Sequence, residues 1–249
     1  ASQMTGPGTN TYIVGRSRFV VIDPGPALEP HIQNILYNFG HSIEAIMVTH
    51  THKDHSPAAK VIAKETGAQL FGTVIKNDGH QDPTFSTTKN IDDGQTFKFS
   101  EVDVKAIQTP GHVANHICYL IESDKFLITG DHLMEGTTVV IIPPSGNMKD
   151  YMESLRKLLF FDFDYIGPGH GKVIRKPKRE IERVYQHRLK REKKILKIIT
   201  EAEPSTIDEL TKKAYGDVNE SLHFWASKSL LAHLIKLESE QLVIQKKGK

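Results

Sequence analysis

His50-Thr51-His52-Lys53-Asp54-His55 brings three imidazoles and a carboxylate into one short stretch, spelling H-x-H-x-D-H. It follows the apolar run 43–48, which is short, rich in β-branched residues and bounded by polar ones. Such a run reads as a buried strand that presents the following residues at a sheet edge. Neutral imidazole and carboxylate oxygen suit Zn²⁺, and to a lesser extent Fe or Mn. A polar loop that happens to be rich in histidine is the alternative. It is outweighed because further candidate ligands follow in ordered contexts.

Those contexts are Thr109-Pro110-Gly111-His112, Thr129-Gly130-Asp131-His132 and Gly167-Pro168-Gly169-His170. An apolar run precedes each: 102–107 before His112, 126–128 before Asp131 and 165–166 before His170. The repeated design delivers one ligand from the end of each strand to one edge, with glycine alongside to let the backbone turn tightly.

In this order over residues 8–176, H-x-H-x-D-H, TPGH, GD and GPGH resemble the metallo-β-lactamase superfamily. Gly8-Thr9-Asn10-Thr11-Tyr12, Glu135-Gly136-Thr137-Thr138-Val139, Asp150-Tyr151-Met152 and the tail with His187-Arg188 resemble its β-lactamase-like protein 2 branch, which carries a winged-helix-like tail. The resemblance implies one metal held by His50, His52 and His112, a second by Asp54, His55 and His170, and Asp131 bridging the two. It thereby implies two Zn²⁺ per chain, with Fe or Mn as alternatives. Asp54 and Asp131 become the carboxylates at the chemistry, and a metal-bridging hydroxide is the nucleophile, so no Ser or Cys nucleophile is required. Asp23 resembles the superfamily's early aspartate, which supports the ligand loop from behind. Asn10, Thr11 and His187 are candidates for meeting substrate. His116 and His132 either reach the site from behind or bond locally.

The 249 residues, 38% hydrophobic and 25% charged, suit one sizeable α/β domain with a small second one. No apolar stretch approaches the ~20 residues of a membrane span, and no secretion signal is seen. The opening Ala1-Ser2-Gln3-Met4 leaves open whether a targeting peptide was removed. A single cysteine, Cys118, rules out an intrachain disulfide and favours a reducing compartment: the cytoplasm, or the mitochondrial matrix in a eukaryote. Between Lys172 and Lys197 twelve Lys/Arg stand against three Glu although the whole chain is only +2. That run either attracts a polyanion or forms a solvated helix face.

Strand and helix signals alternate along the chain. Residues 11–14 and 18–22 read as hairpin strands closed by Asp23-Pro24-Gly25-Pro26, with helices at 30–39 and at 57–66, the latter stopped by Gly67. Residues 70–71 and 74–75 suggest a further strand and loop, and 77–90 a polar loop. Strands at 96–99, 102–107, 117–121 and 126–128 and a helix at 149–159 follow. Two β-rich halves carrying helices suggest an αββα sandwich with the metal edge shared between them. The boundary falls near Lys176-Pro177, giving a catalytic domain over 1–176 and a winged-helix-like domain over 177–249. The latter reads as helices at 179–201, 207–215 and 222–240, the second opened by a Thr206–Glu209 capping box, with a short wing strand at Val243-Ile244.

The leading expectation is a dinuclear metal hydrolase. Resemblance to the branch implies an endoribonuclease acting on single-stranded RNA, and a basic tail is compatible with phosphate contacts. A thioester hydrolase resembling glyoxalase II is the runner-up. A β-lactam hydrolase is less favoured because Asp54 and Asp131 make an oxygen-rich site, and a non-catalytic nucleic-acid-binding module would rest on the tail alone.

Overall fold

The computed structural model describes residues 6–76, 78–87, 89, 91–201 and 205–245. Strands β1 (Tyr12–Gly15), β2 (Phe19–Ile22), β3 (Ile43–Met47) and β4 (Gln69–Phe71) form one sheet in that order. The β1–β2 pair is antiparallel and the rest parallel. Strands β5 (Thr96–Lys98), β6 (Asp103–Gln108), β7 (Ile117–Ile121), β8 (Phe126–Gly130) and β9 (Tyr165–Pro168) form the second sheet, antiparallel except for β8–β9.

Strand alternation decides how the layers stack, because successive side chains leave opposite faces. Val20, Ile22, Ala45 and Met47 of the first sheet meet Val104, Ala106, Ile117, Tyr119 and Ile128 of the second in one core. Val21 and Ile46 face the other way, onto α1 (Glu29–Phe39) and α2 (Pro57–Thr66) through Ile32, Ile35, Ala58, Ala59 and Ile62. On the far side Cys118, Leu120, Leu127 and Ile166 pack on α3 (Met148–Leu158) through Tyr151, Leu155 and Leu158. The architecture is therefore helix, sheet, sheet, helix.

Helix α4 (Pro177–Glu201) serves two cores: Ile181 and Val184 pack with α3, whereas Ile195 packs with α5 (Ile207–Ala214) and α6 (His223–Ser239) through Leu210, Ala214, Leu230 and Leu237. The Thr206–Glu209 capping box that opens α5 is formed in both directions. The expected strand and loop over 70–75 are formed as β4 followed by loop, and one expected strand, the wing, is not formed. Val74 and Ile75 leave the sheet after Phe71, with Val74 exposed. Val243 and Ile244 carry no strand, since no partner segment lies beside them among the described residues, and a lone strand does not hold in water. No described helix is long and apolar enough to cross a membrane.

Candidate metal centre

The ends of four strands bring the sequence-selected side chains together. His50, His52, Asp54 and His55 follow β3, His112 follows β6, Asp131 follows β8 and His170 follows β9. His50 Nε2 lies 2.9 Å from His52 Nδ1, which lies 3.2 Å from His112 Nε2, so three imidazole nitrogens converge. A second group forms where His170 Nε2 lies 3.2 Å and His55 Nε2 3.6 Å from Asp54 Oδ2. Asp131 faces both groups: its Oδ1 is 3.3 Å from His170 and 3.5 Å from His55, while its Oδ2 is 3.8 Å from His112.

The rear nitrogens fix which atom points inward. His55 Nδ1 is 2.9 Å from Asp23 Oδ2, His112 Nδ1 is 2.8 Å from the Val140 carbonyl, and His170 Nδ1 is 2.9 Å from the Gly8 carbonyl. His50 Nδ1 donates to Thr49 Oγ1, whose hydroxyl donates to Asp23 Oδ2. With Nδ1–H committed outward, each of these rings offers an Nε2 lone pair to the centre. Asp23, 1% exposed, also accepts from the Thr49 backbone N–H, so one carboxylate steers His50 and His55 together.

Charges in the cluster point to the same need. Burial, then His55 and His52, hold His50 well below the usual imidazole range, and burial with His112 and His55 takes His52 down to about 3. Burial would lower His55 as well, but Asp131 and Asp23 outweigh it and hold that ring well above its ordinary value. Against burial, Asp131 and Asp54 raise His170 to about 10. Protons on His55 and His170 thus balance converging carboxylates, a task that cations do equally. His55 Nε2 and Asp131 Oδ1 are buried without a hydrogen-bond partner, and three triads (His50, His52, His112; His50, His55, Asp131; Asp54, His55, His170) each gather their donor atoms within 4.8 Å. This donor set fits metal ions.

Close approach demands glycine at two points. A Cβ on Gly169 would lie 2.5 Å from Asp131 Oδ1, and Gly130, at φ +44°, would press one within 2.3 Å of Thr49 Oγ1.

From this cluster a cleft of about 660 Å³ runs toward the tail, past Met134, Val139 and Ile142 to His187, Arg188, Tyr215, Leu222 and Trp225. His187, half-buried, is pushed down to about 4 by burial and then by Arg188, Arg191 and Arg183. Asn10 and Thr11 are not on the cleft wall. Asn10 Nδ2 donates to the Pro168 and Gly171 carbonyls, holding the turn that carries His170, and Thr11 Oγ1 bonds His31. His116 bonds Thr109 Oγ1 and stacks on His50, while His132 packs on Tyr151. Cys118 is fully buried and pushed up to about 12 by that burial, which excludes a thiolate nucleophile.

Several participants have no sequence motif to mark them: Thr49, which relays Asp23 to His50, and Tyr215 and Trp225 in the cleft, whereas Thr9, whose hydroxyl reaches Asp54 at 3.4 Å, lies in the Gly8–Tyr12 motif but is not singled out by it. The basic run divides. Arg183 pairs with Glu180, Arg191 and Lys194 pair with Asp217, and Arg188 is buried, whereas Lys172, Arg175, Lys176, Lys178 and Arg179 are exposed.

The sequence profile of the metallo-beta-lactamase superfamily matches residues 4–170, and that of the beta-lactamase associated winged helix domain matches residues 206–249. The beta-lactamase-like protein 2 homolog of Drosophila melanogaster is 32% identical over 254 residues, covering 96% of this chain and 85% of that protein. An atrochrysone carboxyl ACP thioesterase of Aspergillus fumigatus is 29% identical over 222 residues, covering 87% of this chain and 66% of that protein. A metallo-beta-lactamase family protein of Thermus thermophilus superposes with a TM-score of 0.78 at 18% identity, covering 94% of this chain and 89% of that one, a likeness of fold. The strand-end cluster, the αββα layering and these matches agree: the chain belongs to the metallo-beta-lactamase superfamily of hydrolases and carries that superfamily's associated winged helix domain.

Proposed function

We propose that the protein is a dinuclear zinc hydrolase that cleaves acyl thioesters. The observation that carries this reading is the cleft: it leads from the cluster along Met134, Val139, Ile142, Leu222 and Trp225, a wall that accommodates an apolar acyl chain with its carbonyl at the cluster. The thioesterase relative supports the same substrate class.

His50, His52 and His112 would hold one ion and Asp54, His55 and His170 the other, with Asp131 placed to reach both. Bound there, two ions would supply Lewis acidity to the carbonyl and lower the pKa of water. Imidazole and carboxylate suit zinc first, with iron or manganese as alternatives. The chain's own residues orient and exclude. Asp23 and Thr49 fix two rings, and the Val139–Val140 segment, holding His112, closes one side of the cleft. Asp54 lies at the cleft, where its carboxyl, against burial, is held down to about 2 by the hydrogen bond to His170 and by His55. It is an acceptor, not a proton donor. A thiolate, the base of an acid of pKa about 8.5, leaves without an obligatory donor, which suits a site of acceptors.

Turnover by metal-loaded protein of a neutral medium-chain acyl thioester, a β-lactam and single-stranded RNA, side by side, tests the reading. Thioester hydrolysis is expected to dominate, and its absence under full metal occupancy overturns the proposal. Elemental analysis is expected to give two ions per chain, with His52→Ala losing the first and His170→Ala the second. A single ion at saturation rejects the dinuclear assignment.

RNA cleavage stands second, for a physical reason: five of the twelve cations in the basic run are ion-paired or buried, and the outward face of α6 carries Phe224, Leu231 and Ile235 where a nucleic-acid reader carries cations. The exposed Lys172–Arg179 cluster, without ion pairs among the described residues, is what favours it. Charge reversal at Lys176, Lys178 and Arg179 is expected to flatten the salt dependence of RNA affinity by about one log–log unit for each phosphate no longer neutralised. An unchanged slope assigns that cluster to solvent.

A further inference from the structure

Arg188 is 3% exposed and lines the cleft, yet no carboxylate among the described residues pairs with it. Its neighbours on α4 differ: Arg183 has Glu180, and Arg191 has Asp217. Arg188 Nη2 donates to the Val139 carbonyl and its guanidinium carbon sits 5.3 Å from the Tyr151 ring centroid, while its Nε is buried without a partner. The guanidinium also hydrogen-bonds the Tyr151 side chain, but burying its charge with Nε unmet and no carboxylate beside it is costly unless something else completes it. A second donor on the same wall is in the same state: the Tyr215 hydroxyl is buried and unpartnered among the described residues, and Tyr215 also lines the cleft.

The side chains that carry these two buried donors line the tail end of a cavity whose other end is the metal cluster. Val139 and Val140 connect the ends, one carbonyl held by Arg188 and the next by His112. We propose that Arg188, assisted by the Tyr215 hydroxyl, is a carboxylate-binding subsite, so that the preferred substrate is an acyl thioester bearing an acid group at the end remote from its scissile carbonyl. One uncompensated positive charge matches one carboxylate, and the planar fork suits its two oxygens. The charge balance agrees. The cationic groups at this end are Arg188 and Arg191, and the one carboxylate of the lining there, Asp217, is already held by Arg191 and Lys194. Burial raises Tyr215, against the pull of Arg188 and Arg191, which keeps its hydroxyl a donor.

The proposal rests on the thioester reading for what lies at the cluster, and turnover of a neutral thioester tests that reading by itself. The chain's single tryptophan, Trp225, lines the same cleft and reports occupancy by fluorescence. Metal-loaded protein is titrated with each even-numbered diacid from succinate to dodecanedioate and with the monoacid of equal length. At the length that spans the cleft the diacid is expected to bind at least about tenfold tighter, the scale of one charge-assisted hydrogen bond. In Arg188→Gln the order reverses, because the second carboxylate is then desolvated without a partner, and Tyr215→Phe keeps part of the preference. Circular dichroism and metal content establish that each variant is folded and loaded; the Tyr215→Phe comparison decides the matter if Arg188→Gln does not fold. Equal affinity for diacid and monoacid at every length, or a preference that survives in Arg188→Gln or is unmoved in Tyr215→Phe, overturns the proposal.

Discussion

Asp131→Asn is expected to fold and to lose turnover by a factor on the order of 10³, since two-metal charge stabilisation amounts to several kcal/mol and each 1.36 kcal/mol is about tenfold. Asn has the same shape, so the close contacts at Gly130 and Gly169 are undisturbed. What changes is the electronic character of the two atoms. Oδ1 faces His55 and His170 and Oδ2 faces His112, so the carboxylate presents an anionic acceptor to both halves of the cluster. An amide presents one neutral oxygen, and its N–H₂ group repels a cation on the other side. Metal content, thermal unfolding and turnover are measured together on the same preparation. Near-normal turnover with two ions bound would assign the bridging role to another residue.

The strand-end logic of the site is legible in the sequence because each ligand is coded locally: an apolar run, a glycine and a His or Asp at the turn. Boundaries such as α2 at Pro57–Thr66, stopped by Gly67 at φ +74°, follow from proline and glycine chemistry that acts within a few residues. Long-range pairing is not legible in this way. A place in the 6–11 loop makes Asn10 a candidate for substrate while Gly-Thr-Asn is also ordinary turn chemistry, and its amide in fact bonds carbonyls 158 and 161 residues away. Two β-branched residues suggest a wing strand at Val243-Ile244, whereas a strand needs a neighbour that composition does not specify. Arg188 shows the same limit in charge: counting cations treats it as one of twelve, and only the fold reveals that it is buried and unmatched.

The tail therefore does more than append a domain. Helix α4 threads from one core to the next, and Ser229 and Trp225 of α6 turn toward the cleft, not outward. A winged-helix unit placed this way shapes a pocket wall. On its solvent side α6 exposes Phe224, Leu231 and Ile235, while exposed cations gather at Lys172–Arg179.

Asp23→Asn is expected to separate metal binding from folding. In the native chain Asp23 Oδ1 accepts from the Thr49 backbone N–H, and Oδ2 accepts from Thr49 Oγ1 and faces His55 Nδ1 at 2.9 Å. Asn keeps the first bond through its carbonyl oxygen but turns an N–H₂ group toward the other two. His55 Nδ1 must then accept a hydrogen bond instead of donating one, which moves the ring's own proton to Nε2, the atom that faces Asp54 and Asp131. That tautomer is compatible with the chelated protein, where Nε2–H can point at a carboxylate, and incompatible with a cation in the same place. The chelated variant should therefore unfold within a few degrees of chelated wild type, while affinity for the ion beside His55 falls about 10–100-fold, the range found when a carboxylate behind a ligand histidine is removed. Thr49→Val supplies the contrast. It removes only the relay to His50, so its loss falls on the ion held with His52 and His112. Competition against a chelating dye resolves the two affinities, and thermal unfolding with and without metal gives the stabilisation that binding confers. Wild-type affinity at both positions in Asp23→Asn would mean that His55 is oriented by packing alone, and that the buried carboxylate behind it serves the fold and not the metal.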